Sequence, residues 1–104
     1  MHARAVRYES VEPQNWEIGR EWFTKDYLPV ALQTEGFCGA YLLHDQERMC
    51  TMSVTLWRDE QTVAASGAAV QQHLDAWEEM TGIEASVETF EVVLAEIPAG
   101  ATRT

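Results

Sequence analysis

Basic residues and long apolar runs are both scarce in this chain of 104 residues. Only 7 Lys and Arg stand against 17 Asp and Glu, so the formal net charge is −10, and a polyanion such as DNA or RNA would be repelled. No apolar run approaches the roughly 20 residues that a membrane-spanning helix needs. The first ten residues also have no long apolar stretch of a secretory signal. We therefore expect a cytoplasmic protein that binds neither nucleic acid nor membrane.

The short motifs of nucleotide, phosphoryl, serine-hydrolase and zinc-protease chemistry are missing as well. The three histidines, His2, His44 and His73, show no metal-ligand spacing, and none pairs with a cysteine in a metal-like motif. On this pattern we expect no metal site and no cofactor.

Apolar residues, in contrast, are plentiful: they make up 46% of the chain, and aromatic residues make up 10%. This composition predicts a folded protein rather than a disordered one. The length allows one domain with one hydrophobic core. We expect that core to span about residues 4–97 and residues 98–104 to form a frayed tail.

Two segments have the apolar spacing of amphipathic helices. In residues 14–28, large aromatic side chains recur at helical spacing, and Pro29 predicts a kink or an end there, with a brief continuation toward Thr34. The second helix has an acidic start at residues 59–60 and ends at Gly82, which suits a C-terminal cap. Its predicted buried stripe consists of Val63, Gly67, Val70, Leu74 and Trp77.

Four segments are predicted as strands: about residues 4–9, 37–43, 49–57 and 87–97. The middle two form a predicted hairpin whose two-residue loop, Gln46-Glu47, places residue 43 opposite 50 and residue 41 opposite 52. This register brings one apolar set onto one face, which we expect to pack under the helices. The set consists of Phe37, Gly39, Tyr41, Leu43, Cys50, Met52, Val54 and Leu56.

The element order predicts an α+β protein of the ferredoxin-like β-α-β-β-α-β kind, with a four-stranded antiparallel sheet and two helices on one face. The helix-free face of the sheet should then be nearly uncharged, which favours a homodimer. The hairpin register also places Cys38 and Cys50 far apart, so both should be free thiols. The side chains expected on the helix-free face are Cys38, Ala40, Leu42, Thr51, Ser53, Thr55 and Trp57.

Residues 35–45, Glu-Gly-Phe-Cys-Gly-Ala-Tyr-Leu-Leu-His-Asp, and residues 52–60, Met-Ser-Val-Thr-Leu-Trp-Arg-Asp-Glu, resemble the dimeric α/β-barrel superfamily. Within it, the chain is most similar to the antibiotic biosynthesis monooxygenase family. The likeness spans about residues 5–97 in element order, with residue identity confined to about 35–60. It implies a dimeric α/β barrel that binds a small molecule. The superfamily also includes haem-degrading enzymes and isomerases, so the fold alone does not choose the chemistry.

The catalytic pattern of the family transfers only in part. Quinone-forming members have an asparagine four positions before the tryptophan of the third strand and a tyrosine six positions after it. Trp57 matches that tryptophan, but Ser53 and Val63 stand at the other two positions. Haem-degrading members have an asparagine in the first strand and a histidine about ten residues after the tryptophan. Here the first strand has no asparagine and His73 follows Trp57 by sixteen residues, so the catalytic residues stay unassigned.

A ligand pocket, if present, should lie between the helices and the sheet, with Trp57 on its wall and His73 and Trp22 near its rim. These three are the candidate substrate-binding residues, although tryptophans at helical spacing also serve as core packing. Two functions stay open. One is a cofactor-independent monooxygenase of an aromatic or polyketide-like small molecule. The other is a non-catalytic protein of the same fold that binds a small molecule or haem.

Overall fold

A four-stranded antiparallel sheet forms one layer of the protein, and helices pack against one of its faces. The computed structural model describes residues 1–96 and 98. The strands are β1 (His2–Tyr8), β2 (Phe37–Asp45), β3 (Cys50–Trp57) and β4 (Ala85–Glu91). They lie side by side in the order β2-β3-β1-β4. The expected ferredoxin-like β-α-β-β-α-β architecture is confirmed.

The first helical segment is interrupted by a π turn just before Pro29. It consists of α1 (Pro13–Trp22), the π turn (Phe23–Tyr27) and α2 (Leu28–Leu32). Proline has no N–H to donate, and its ring crowds the carbonyl four residues earlier. The wider turn accommodates it, with the Leu28 N–H bonded to the Phe23 carbonyl. The predicted kink near Leu28 therefore takes the form of a π turn, after which the helix resumes.

The second helical segment begins and ends as predicted but contains one break. Its parts are α3 (Glu60–Ala65) and α4 (Gly67–Thr81). Asp59 accepts a hydrogen bond from the Thr62 N–H at 2.9 Å and so caps the start, and Gly82, with φ of 76°, ends it. No helix in the described part of the chain is long and apolar enough to cross a membrane. The buried members of the predicted stripe are Val63, Val70, Leu74 and Trp77.

The hairpin of β2 and β3 has a four-residue loop instead of the predicted two-residue loop. Leu43 lies opposite Met52, so the predicted register was wrong by two residues. The Asp45 carboxylate closes the longer loop, because it accepts hydrogen bonds from the Arg48 backbone N–H at 3.2 Å and from Arg48 Nε at 2.7 Å. A shift of two residues leaves unchanged which side chains share a face.

The face of the sheet that the helices cover was predicted wrongly. It carries the buried hydroxyl side chains Thr51, Ser53 and Thr55, together with the buried Trp57. The more apolar set lies on the helix-free face instead. That free face includes Ala5, Tyr41, Leu43, Met52, Val54, Leu56 and Phe90.

Alternation along the strands defines two sets of side chains, but it does not say which set meets the helices. The prediction assigned the more apolar set to the helices because a buried face of a sheet is usually the more apolar one. Here the hydroxyl set borders a cavity under the helices, while the apolar set stays partly exposed. A bulge between Phe37 and Gly39 also moves Phe37 to the helix-covered face, where its ring lies 5.3 Å from that of Trp57.

Strand β4 ends earlier than predicted. It was expected over about residues 87–97, but it runs from Ala85 to Glu91 and pairs only with β1. One further hydrogen bond joins the Val92 N–H to the Met1 carbonyl at 2.8 Å. Ile97 and, except for Pro98, the predicted tail at residues 98–104 lie outside the described residues.

Both cysteines are free thiols, as predicted: Cys38 is exposed and Cys50 is buried. Cys38 is the extra residue of the bulge at the start of β2, whereas Cys50 pairs with Asp45 at the opposite end of the hairpin. The length of the hairpin therefore separates them.

Candidate functional site

A cavity of about 70 Å³ lies between the helices and the covered face of the sheet. Its floor comes from β1 and β3, and its walls come from α1, the π turn and α4. The side chains of the floor are Arg4, Val6, Tyr8, Thr51, Ser53 and Thr55. The cavity occupies the place predicted for a ligand pocket.

The walls of the cavity are a continuous chain of aromatic rings. Neighbouring ring centroids lie 5.2 to 6.1 Å apart, in stacked and edge-on arrangements. In order of contact the rings are Phe23, Tyr27, His73, Trp22, Trp77 and Tyr8. The π turn contributes the first two rings, and α4 contributes His73 and Trp77 at a spacing of four residues. Such a wall suits a flat aromatic ligand.

Gly19 gives this wall its shape. A Cβ atom at this position would lie 2.9 Å from Cη2 of Trp77. The absence of a side chain therefore lets the Trp77 ring lie directly against α1, and both residues line the cavity.

One corner of the cavity contains a buried cation. Arg4 is 4% exposed and is the only charged residue of the buried class in the described part of the chain. Its Nη2 donates to the Val63 carbonyl at 2.6 Å and to Ser66 Oγ at 3.0 Å, which ties β1 to the junction of α3 and α4. Its Nη1 is buried and has no hydrogen-bond partner among the described residues. Burial lowers the pKa of Arg4, opposed by the adjacent Tyr27, but a guanidinium remains charged at neutral pH.

Two tyrosines complete the titratable groups near this corner. Burial raises the pKa of Tyr27, while Arg4 and Thr55 beside it act in the opposite direction. Burial, and then the proximity of Tyr27, raises the pKa of Tyr8 to about 12. Both phenols are therefore protonated at neutral pH and can donate hydrogen bonds.

The predicted site residues divide into two groups. Trp22 and His73 line the cavity, and their ring centroids are 5.2 Å apart. Trp57 is not among the lining residues: it is 1% exposed and lies beside the cavity on the same face of the sheet, where Nε1 donates to Thr55 Oγ1 at 2.9 Å. Its ring lies beneath the Arg4 guanidinium, with 5.8 Å between the guanidinium carbon and the ring centroid. Trp57 therefore supports two lining residues instead of forming the wall.

Sequence reasoning missed Arg4, Tyr27 and Asn15 as lining residues. Arg4 lies between two alanines in a short mixed strand, so alternation alone could not say that it points inward. A correct assignment of the covered face would have found it, because Arg4 pairs with Thr55 across β1 and β3. Ser53, expected on the helix-free face, is buried in the cavity floor.

Among the described residues, no group of three His, Cys, Asp or Glu side chains is arranged to hold a metal ion. His44 lies next to the cavity but does not line it. Its ring stacks on Trp16 with centroids 4.0 Å apart, and its Nδ1 lies 3.0 Å from Thr51 Oγ1.

The sequence matches no protein-family model and no curated protein. Solved structures do match over almost the full chain. A monooxygenase from the gene ActVA-Orf6 of Streptomyces coelicolor, in complex with the ligand Nanaomycin D, superposes with a TM-score of 0.77 at 14% identity, covering 94% of this chain and 92% of that one. The chain has the fold of this monooxygenase.

Two further structures extend this likeness. A variant of SnoaB, a cofactor-independent oxygenase from Streptomyces nogalater, gives a TM-score of 0.71 at 13% identity, covering 90% of this chain and 94% of that one. The haem-degrader MhuD from Mycobacterium tuberculosis, with two haems in its active site, gives 0.62 at 20% identity, covering 90% and 98%. The resemblance drawn from residues 35–60 is thus confirmed as a likeness of fold.

Proposed function

We propose that this protein is a cofactor-independent monooxygenase that oxidises a small phenolic aromatic in the cavity beneath its helices. The observation that carries this proposal is the aromatic-walled cavity with its polar floor, present on a fold shared with oxygenases. Apolar walls with a few convergent polar groups are typical of small-molecule sites.

The volume of the cavity sets the size of the substrate. About 70 Å³ is well below the roughly 300–1,000 Å³ of sites for drug-sized ligands. A single aromatic ring is therefore the favoured substrate. A polyketide-like ligand of several rings would require the first helical segment to move away from the sheet.

The reaction needs only the substrate and molecular oxygen. A phenol and O₂ give a quinone and water: one oxygen atom replaces hydrogen on the ring, and the other leaves as water with the two hydrogens lost by the phenol. The electron-rich form of the ring is the phenolate, so the protein must remove the phenolic proton and stabilise the anion. His73 is the imidazole among the cavity side chains and is the one suited to act as a general base. Arg4 supplies positive charge without a change of protonation.

Oxygen uptake tests this proposal. Wild-type protein should consume oxygen with a panel of single-ring phenols and hydroquinones, and His73→Ala should slow that uptake by about 10²-fold or more, the usual contribution of a general base. The matched control is Gln72→Ala, the exposed neighbour on α4 that does not line the cavity. Absence of uptake across the panel, with the protein folded and ligand bound, would exclude the oxygenase.

The second candidate function is a binding protein without turnover. It is favoured by the residues that depart from the family pattern, Ser53 and Val63, which leave the floor without the expected asparagine. Haem is a poor fit as its ligand, because the cavity is far smaller than a porphyrin. Ligand binding without oxygen uptake would support this second function.

We further propose that the protein is a homodimer that buries the helix-free face of the sheet. Tyr41, Leu43 and Phe90 on that face are each about half exposed. Arg7 and Glu88 lie on the same face, but exposed large apolar side chains grouped in this way are typical of an interface. A second copy would cover it by sheet-to-sheet packing, as in a dimeric α/β barrel.

A further inference from the structure

We propose that Arg4 forms an anion-binding subsite, and that the ligand of the cavity is a single-ring aromatic bearing an oxyanion, a phenolate or a carboxylate. This inference names the substrate class of the proposed function and rests on it. It depends on charge and on unpaired donors, and its test separates binding from turnover.

The buried positive charge of Arg4 has no carboxylate partner among the described residues. Buried charges in proteins are paired, because an isolated ion in an apolar interior is strongly unfavourable. In the described part of the chain no carboxylate forms an ion pair with Arg4. Its two hydrogen bonds go to neutral oxygens, those of Val63 and Ser66. The net charge of the chain is −10, yet the one buried charge among the described residues is positive and has no carboxylate partner there.

Two buried donors at the cavity are unpaired within the described part of the chain. Arg4 Nη1 and Trp77 Nε1 are both buried without a partner among the described residues, and both side chains line the cavity. Buried donors normally find an acceptor, and neither group can itself accept a hydrogen bond. The matching ligand therefore brings acceptor oxygens, and a charged oxygen satisfies a guanidinium best.

Neighbouring side chains hold the guanidinium in place. The centroid of the Trp57 ring lies 5.8 Å from its carbon, and the hydrogen bonds to Val63 and Ser66 hold Nη2. The Tyr27 phenol is adjacent to the guanidinium, but Nη1 itself makes no hydrogen bond to a described residue. This arrangement is preorganised for one anionic group.

One pair of probes and one single probe test the subsite by tryptophan fluorescence and absorbance. Benzoate should bind about tenfold tighter than its neutral isostere benzamide, since hydrogen bonds to charged groups exceed those to neutral ones by this margin. 4-Nitrophenol, titrated near its own ionisation point, should gain the visible absorbance of its anion on binding. The first pair tests a carboxylate and the second probe tests a phenolate.

The diagnostic variant is Arg4→Met, which should abolish both the benzoate preference and the absorbance gain. Arg7→Met is its control, because Arg7 lies three residues along β1 on the opposite face and contacts Glu9. If Arg4→Met does not fold, Arg4→Lys keeps the charge and should retain a reduced preference for benzoate.

Equal affinity of the wild type for benzoate and benzamide, with no gain of nitrophenolate, would overturn the anion subsite while leaving a ligand cavity. An intact anion preference without oxygen uptake would leave the subsite standing and remove the oxygenase. Failure of all three probes to bind would overturn both proposals.

Discussion

The guanidinium carbon of Arg4 lies 5.8 Å from the centroid of the Trp57 ring, and the same tryptophan donates its indole hydrogen to Thr55 at 2.9 Å. Arg4 and Thr55 are opposite one another on β1 and β3, and both line the cavity. Trp57, the residue that carries the family resemblance in sequence, therefore lies beside the cavity and contacts its lining. It holds the polar corner in place.

Trp57→Phe should therefore both destabilise the protein and weaken the polar corner. Loss of the indole ring from a fully buried site, together with its hydrogen bond, should lower the free energy of unfolding by about 1–3 kcal/mol. Urea titration measures this, and benzoate affinity should fall severalfold in parallel. The matched variant is Trp22→Phe. Trp22 is a half-buried wall residue, so this variant should change the affinity for an aromatic ligand more than the free energy of unfolding. Unchanged stability and affinity in Trp57→Phe would contradict this role.

Gly19→Ala should weaken aromatic ligand binding, because the new Cβ would displace the Trp77 ring that it approaches to 2.9 Å. The gain in helix propensity of about 1 kcal/mol is expected to be offset by overpacking of about 1–3 kcal/mol. Gly67→Ala is the matched control, since nothing lies within 4 Å of its added Cβ. It should leave binding unchanged and raise stability slightly. Equal ligand affinity in the two variants would show that Gly19 does not shape the cavity.

Alkaline pH should destabilise the protein through Tyr8. Burial raises its pKa from 10.0 to about 12, so between these values the unfolded chain releases a proton that the folded protein retains. The folded protein then binds more protons than the unfolded one, and stability falls as the pH rises through this window, by on the order of 2 kcal/mol. Below about pH 10 the contribution is fully present. Urea titrations of wild type and Tyr8→Phe should diverge across the window, and parallel curves would refute the assignment.

Leu43→Asp should convert the proposed homodimer into a monomer, because it places a carboxylate among the exposed apolar side chains of the helix-free face. Sedimentation at micromolar concentration should give twice the chain mass for the wild type and the chain mass for the variant. Val30→Asp introduces the same charge at an exposed apolar position on α2 and should remain dimeric. A monomeric wild type throughout that range would exclude the arrangement.

The elements of the fold follow from local signals that need no tertiary information. Pro29, the Asp59 cap and Gly82 act within a turn or two of chain, and each marks the boundary or break that was expected. The site depends on which face of the sheet meets the helices. For β3 that choice opposes ordinary patterning, because Thr55 is buried over a cavity while Leu56 lies on the free face.

Trp22 and His73 could be placed near the rim of the cavity because both border the apolar stripes of their helices. Arg4 could not be placed there, since its inward direction depends on the register of β1 against β3. Its role also depends on the absence of a carboxylate partner, and a sequence does not show which side chains lack a partner. Such buried, unbalanced groups are expected at functional sites, where local rules give way.

The crystal structure of the protein in complex with 4-nitrophenol tests the central claim most directly. We expect the ring of 4-nitrophenol to lie between the aromatic wall and the hydroxyl floor of β3, with its phenolic oxygen within hydrogen-bond distance of the Arg4 guanidinium. A ring bound elsewhere at saturating concentration, with the cavity unchanged and Arg4 uncontacted, would contradict it.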